Sequence, residues 1–536
     1  IPVAYFLLNG LKASERAEIT NNKRVLEFVA KSGVRVIALT FDGLSGNIAM
    51  CSDLGADIYN DKPYFTHPVD GHPIFVFLDA PHMLKLVRNT MGKHNLYDSD
   101  GQPIMFQYLQ KLVKLQEERY FHLANKLNRK HVEWWKHKMS VKIAAQTYST
   151  SSAMALEQLL ADGHPEFTGC AATIKFCRMV NDVFDVLNSR SLCSNGFKKP
   201  LMPETAEVIF ALFAEAIQYF STLKVDVRSR TTGRIIRKLV IESQFKVGFC
   251  GFILDMSNLK NMYEQFVING HLKYILSYKI SQDHLEILFS CFRTMGGYNN
   301  NPNATQFAAS YKKLLHHNEV KSSAAANCIS LDNTSILTVA WGKKIKDFTE
   351  CNEEDEETDD HQINVDDIPL KCINNTLNHA VLYVSGFVEI RVLNKIKCSE
   401  CVRLLDECPE AESDFITRKS FGFLRFPRID TCKVTWIVEK LVNIYLNNDK
   451  IKLKNAYQKI ICDTMRNLDI TALFKNFDNH VKDVDIIENH KYELIKLIID
   501  YYLRTKMSYI GKCVTLRHQG LSVRHSLNKT ILFKGQ

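Results

Sequence analysis

The chain has 536 residues, 46% of them hydrophobic and 10% aromatic, which is too long for one domain of ~100–200 residues and too apolar for a disordered protein. Lys and Arg number 68 against 59 for Asp and Glu, a formal net charge of +9 that suits an anionic partner without identifying one. No run reaches the ~18 uninterrupted apolar residues of a membrane span, and thiols inside apolar runs (Cys170, Cys177, Cys250, Cys291) read as reduced and buried, pointing to cytosol or nucleus.

Val3–Leu8 reads as a β-strand at the very start, without an initiator Met or a basic signal-peptide region, so an upstream pairing partner is expected to precede it. Val34–Thr40 and Ile74–Leu78 are β-branched and aromatic runs that each end near an Asp, with helical spacing over Lys23–Ala30 between the first two strands. Strand, helix, strand predicts an α/β unit with a partly parallel sheet. From Met105 to about Ser221 the pattern turns to long helical segments, including Trp134-Trp135. Leu239–Ile253 and Leu259–Ile268 are mixed apolar stretches, and Asp283–Thr294 is predicted as an amphipathic helix with Leu285, Leu288, Phe289 and Phe292 on its buried face. The acidic run Glu353–Glu357 with Asp359 and Asp360 reads as a solvated linker. Ala380–Leu393, Val434–Leu446 and Glu493–Leu503 then predict a helical region. After Asp500, Arg504, Lys506, Lys512, Arg517, Arg524, Lys529 and Lys534 form a basic tail, as well suited to phosphate backbones as to a frayed terminus.

Asp79 stands at the tip of a buried strand and before a helix with Pro81 in its first turn. Strand carboxyl ends are where open α/β sheets place ligand chemistry, although an Asp there also serves as an N-cap. Asp283 and Glu286 share one helix face. An Asp at a strand end and a Glu on a distant helix are suitable Mg²⁺ ligands, because Mg²⁺ takes few protein carboxylates plus phosphate oxygens. No Gly-x-x-x-x-Gly-Lys-Ser/Thr loop occurs, which excludes a conventional phosphate loop. Cys398-x-x-Cys401, with Cys408 nearby, invites a zinc reading, but no second pair with His follows at short spacing and reduced structural thiols are favoured.

Leu39-Thr40-Phe41-Asp42-Gly43, Phe77-Leu78-Asp79-Ala80-Pro81-His82-Met83-Leu84-Lys85 and Ser281-Gln282-Asp283-His284-Leu285-Glu286, followed by Gly296-Gly297-Tyr298-Asn299-Asn300-Asn301-Pro302, resemble the P-element (THAP-type) DNA transposases and their domesticated relatives. The likeness covers roughly residues 1–310 in order, with weaker echoes to about 430. It implies an RNase H-like α/β core interrupted by a mostly helical GTP-binding insertion and followed by a C-terminal helical region. The expected divisions are 1–104 and 231–345 for the core, 105–230 for the insertion, 346–370 for the acidic linker and 371–536 for the helical region.

The resemblance further implies an Asp, Asp, Glu triad on Mg²⁺. Its second Asp, in a D-x-x-H motif, falls on Asp79 with His82; the Glu falls on Glu286, with Asp283 as an acidic auxiliary. The first Asp belongs to a strand upstream of Pro2–Gly10, so the sequence reads as N-terminally truncated, and Asp42 matches a different family position. Guanine recognition falls on Phe184, Asp185 and Asn188, the Phe stacking and the Asp and Asn pairing with the base edge. Lys142 and Ser151 are the phosphate and Mg²⁺ candidates, with Lys126 as a third. GTP is then a structural cofactor. The implied partners are transposon-end and target DNA and further copies of the chain in the nucleus, with no membrane. The competing expectation is a GTP- and DNA-binding module without catalysis.

Overall fold

The computed structural model describes residues 12–23, 25–59, 62–228, 233–295, 302–317, 375–420, 424–447, 453–477 and 490–518. The expected strand Val3–Leu8, the Gly296–Asn301 part of the family-like motif, the acidic run and the basic residues Arg524, Lys529 and Lys534 lie outside them. The chain divides into two compact units: Ile1–Gln110 with Lys126–Ala153 and Gly169–Phe348, and Lys111–Asn125 with Met154–Thr168 and Thr349–Gln536.

The first unit holds a three-stranded sheet of β1 (Ala38–Phe41), β2 (Tyr64–Thr66) and β3 (Pro73–Leu78), in the order β1-β3-β2. β3 is central and buried from Ile74 to Leu78, which explains why its residues are apolar without alternation. β1 runs parallel to it, with Phe41 opposite Leu78, and β2 runs antiparallel. The first strand is shorter than the run Val34–Thr40 suggested: pairing starts at Ala38, and Val34 lies exposed. Since Phe41 and Leu78 are partners, Asp42 and Asp79 leave the sheet at the same edge.

Helix Lys246–Met262 covers β3 and the helix Ala80–Lys93. It buries most of its circumference, including Phe249, Phe252, Leu254, Met256 and Leu259, and leaves one stripe from Lys246 through Cys250, Ile253 and Ser257 to Lys260 half-buried or exposed. Two of its glycines permit the close approach: a Cβ on Gly251 would fall 2.4 Å from Met83 Sδ, and one on Gly248 3.2 Å from the Met83 carbonyl. Phe220, from helix Pro203–Thr222, sits 6.1 Å from the rings of both Phe249 and Phe252, and Phe176, from helix Ala171–Leu187, lies 6.5 Å from Phe249. These rings form the middle of the core.

A second sheet, absent from the sequence-based expectation, is antiparallel. It has the order β5-β4-β6-β7, from β4 (Leu96–Tyr97), β5 (Pro103–Ile104), β6 (Lys224–Arg228) and β7 (Ile235–Leu239). Fully buried Arg88 donates to the carbonyls of His137 (2.9 Å) and Lys138 (3.1 Å), fixing the loop after Trp134-Trp135.

The second unit is helical, with Asn375–Leu393, Ser399–Glu407, Ile429–Asn447, Leu453–Asn467 and His490–His518 packed on one apolar core. Two buried carboxylates are paired, as burial requires. Glu389 accepts from Arg425 Nε at 2.7 Å, and Glu439 from Lys506 Nζ at 2.6 Å and Tyr502 at 3.0 Å. This corrects the expectation of a basic arm starting after Asp500. Lys506 is buried in the bundle and Arg504 pairs with Asp500 at 2.8 Å within a helix that runs to His518. Among the described residues no helix is long and apolar enough to cross a membrane.

Asn258 donates to the carbonyls of Pro63 (2.7 Å) and Val76 (2.6 Å) and is fully buried, so it fastens the Lys246–Met262 helix to the sheet. Asn258→Ala removes both bonds, leaving the Pro63 carbonyl only the Val76 N–H at 3.2 Å, and should lower the unfolding free energy by about 1–3 kcal/mol, read as a lower urea midpoint at unchanged slope.

Candidate functional site

Asp79 follows β3 and caps the helix Ala80–Lys93, its Oδ2 accepting from the His82 N–H at 3.0 Å. Its Oδ1 accepts from the Gln282 N–H at 2.9 Å, the residue immediately before the helix Asp283–Met295. One carboxylate thus receives the backbone donors of two helix starts. Glu286 begins one turn after Gln282, with its N–H on the Gln282 carbonyl at 3.0 Å. That turn advances the chain by only about 6 Å, and Glu286 is half-buried.

A third carboxylate, not singled out in the sequence, stands behind Asp79. Asp255 is 1% exposed and accepts from the Leu78 N–H at 2.8 Å through Oδ1, while its buried Oδ2 has no hydrogen-bond partner. Burial pushes its carboxyl well above the ordinary range, and the nearby Asp79 charge adds to the effect. Burial likewise raises Asp79 to about 6; the Gln282 N–H opposes the shift and the Asp283 charge reinforces it.

Asp283 is buried and ion-paired with Arg190 Nη2 at 2.7 Å. The Asp283–Met295 helix forms as expected, but its buried face is turned. Ile287, Leu288, Cys291 and Phe292 face inward, whereas Leu285 (44% exposed) and Phe289 (38%) face outward. The expectation of an apolar face opposite an open carboxylate face therefore fails at Asp283, because the Arg190 pair compensates its burial.

Asp185 lies in the last turn of Ala171–Leu187, and Asn188 is the residue that ends it. Asn181 Nδ2 joins Asp185 Oδ2 (3.3 Å) to Thr150 Oγ1 (3.2 Å), so Asp185 lies beside the start of helix Thr150–Ala161. Ser151 is there too, with a buried Oγ that has no partner. Burial raises Asp185 to about 6, and the Lys198 ammonium 3.8 Å away opposes this. The structure thus brings Asp185 and Ser151 together. Lys126 and Lys142 are exposed, each on a different segment. Phe184, expected to stack on the base, is 6% exposed.

Asn188 Oδ1 accepts from Arg190 Nη2 at 3.0 Å, and the same guanidinium grips Asp283. Around it the chain after Ala171–Leu187 is stitched to the chain before Asp283. Ser189 N donates to Ser277 Oγ at 2.9 Å, Tyr278 N to the Ser189 carbonyl at 3.2 Å, and Ser277 Oγ to the Val186 carbonyl.

Four family models match in chain order: the TNP-like RNase H N-terminal domain over 1–55, the TNP-like GTP-binding insertion domain over 81–200, the TNP-like RNase H C-terminal domain over 278–312, and the C-terminal domain of DNA transposase THAP9 over 372–512. Among curated proteins, the DNA transposase THAP9 of Homo sapiens is 26% identical over 95% of this chain, and the transposable element P transposase of Drosophila melanogaster is 24% identical over 84%. The chain belongs to the P-element transposase family. It carries that family's RNase H-like and GTP-binding insertion domains, and it spans 57% of the length of either relative. A solved structure described as the Drosophila P element transposase strand transfer complex matches 57% of this chain and 64% of its own, at 24% identity and a TM-score of 0.48. That likeness is too distant to place any residue.

The raised Asp79 carboxyl has a definite sign. The folded state holds its proton to about 6, while the unfolded chain releases it near the ordinary carboxylate value of 3.8. Between those values the native state binds more protons, so stability falls as pH rises and the loss is complete above about 6. In buffer free of divalent ions, Asp79→Asn should lessen the pH dependence by on the order of 3 kcal/mol, leaving the share that belongs to Asp185 and Asp255. Urea midpoints from pH 4 to 7 that fall equally in both proteins count against this origin.

Proposed function

We propose that this chain is the core of a DNA transposase that cleaves DNA and transfers strands with Mg²⁺, and that GTP serves it as a structural cofactor. On this reading residues 1–104 and 231–345 form the RNase H-like core, 105–230 the GTP-binding insertion, 346–370 the acidic linker and 371–536 the helical region. The observation that carries it is the Asp79–Gln282 hydrogen bond, which sets the β3 end against the Glu286 helix across 203 residues of sequence.

Asp79 and Glu286 would hold Mg²⁺, with Asp283 as an auxiliary. Two further carboxylates, Asp283 and Asp255, interact with Asp79, and Asp255 Oδ2 is buried without a partner, which supports a hard cation there. The bound ion supplies polarisation of the scissile phosphodiester and makes an attacking water or DNA 3′-hydroxyl more acidic. The protein's own part is placement. The His82 and Gln282 N–H groups fix the orientation of the Asp79 carboxylate, and Arg190 holds Asp283 in place.

Asp185 and Asn188 would read the guanine edge, and Ser151, with Lys142 and Lys126, the phosphates and their Mg²⁺. Nothing in the sequence resembles a water-positioning hydrolytic site, so on this reading GTP acts by being bound. Arg190 supports that role, since it touches both Asn188 and Asp283. Transposon-end and target DNA, a nuclear location and assembly with further copies of the chain follow from the family.

A second reading, GTP and DNA binding without catalysis, is favoured by one observation: Arg190 neutralises Asp283. Divalent-dependent nicking separates the two. The protein in its full natural length should nick transposon-end DNA with Mg²⁺, and Asp79→Ala should lose at least ~10²-fold of that rate, about 3 kcal/mol of barrier. Equal nicking by both proteins refutes the assignment of Asp79, and no nicking by either selects the second reading.

Guanine recognition has its own test. Asp185→Asn should weaken GTP by ~10-fold or more, the value of one hydrogen bond to a charged group, and shift preference to xanthosine triphosphate. An unchanged preference removes Asp185 from the site.

A further inference from the structure

The helical second unit contains a constellation that the transposase reading does not use. Cys398 caps the helix Ser399–Glu407, and Cys401 lies in its first turn. His490 opens the helix His490–His518. The three candidate ligand atoms lie within 4.8 Å of one another, and Cys401 Sγ is 3.3 Å from His490 Nδ1. Adjacent ligands on a tetrahedral zinc ion, with Zn–S near 2.3 Å and Zn–N near 2.0 Å, stand roughly 3.5–3.8 Å apart, so small side-chain rotations would seat the ion.

We propose that Cys398, Cys401 and His490 bind one Zn²⁺. The missing second half of the cysteine motif is supplied by tertiary structure: His490 lies 89 residues beyond Cys401. The ion replaces the two thiol protons, which pass to solvent, and forms two Zn–S bonds and one Zn–N bond. The site opens on a cleft of about 670 Å³ that also contains Glu493, Asp500 and Arg504. Glu493 lies three residues after His490 on the same helix and so on the same face; it or a water completes the tetrahedron. Joined through the metal, two helix starts distant in sequence become one fixed corner of the bundle.

The test uses the whole chain, purified under reducing conditions, stripped with a chelator and titrated with Co²⁺ and then Zn²⁺. One equivalent of Co²⁺ should give a thiolate charge-transfer band and tetrahedral d–d absorption, both displaced by Zn²⁺, and Zn²⁺ should raise the thermal midpoint. Cys398→Ser, Cys401→Ser and His490→Ala should each weaken binding by at least about tenfold. Cys462→Ser, at an exposed cysteine elsewhere in the unit, should bind as the unaltered chain does, and circular dichroism confirms that each variant is folded. The proposal is overturned by absence of the thiolate band, by an undiminished band in folded Cys398→Ser, by equal loss in Cys462→Ser, or by a Cys398–Cys401 disulfide in the freshly purified protein.

Discussion

A buried carboxylate must be compensated from every side, and Asp79 meets that demand with the backbone itself. Its two oxygens each receive an N–H, one from its own helix and one from Gln282 at the start of another. Helix starts carry unsatisfied donors and partial positive charge, so one side chain satisfies two ends and locks a strand tip between them. Part of the acidic cluster follows: Asp283 is near Asp79 because its helix begins on the Asp79 oxygen, and Glu286 lies one turn further along. The same bonds limit the rise of its carboxyl to about 6, while Asp255, with a single backbone donor, is displaced much further.

Much of this was legible in the residues. The runs around β1 and β3, the cap and Pro81 after Asp79, and the helix from Asp283 follow from side-chain chemistry and spacing. What escaped did so for physical reasons. Lys246–Met262 is buried over most of its circumference and its open stripe includes Cys250 and Ile253, so the polar side that would betray a helix is faint, and a lone Asp within it gave no pattern, although a carboxylate in such company is itself a signal. The β6–β7 hairpin alternates only weakly and faces solvent along β7. The rotation of the Asp283 helix depends on Arg190, ninety-three positions earlier, which no local periodicity can reveal. The zinc-like cysteine pair looked incomplete for the same reason, since its histidine arrives from a distant helix.

The stitching of residues 186–190 to 277–283 links two chemistries in one unit. Asp185 and Asn188 end a helix whose continuation hydrogen-bonds to the segment leading to Asp283. Order in one segment is therefore order in the other. On the proposed reading, a nucleotide that fixes Asn188 also fixes the guanidinium that orients Asp283, which gives a bound but unspent GTP a physical means of action.

The largely buried helix Lys246–Met262 has a consequence for shortened forms of this polypeptide. β3 and the Ala80–Lys93 helix are complete well before it, yet the face that both turn to it is covered only when it docks. A product terminated upstream of Lys246 carries a bare oily surface the width of that helix, an invitation to aggregation and to quality-control proteases. Synthesis thus has a threshold: before that helix emerges the acidic centre has no floor, and after it the sheet, the buried Asp255 and the strand tip acquire their places together.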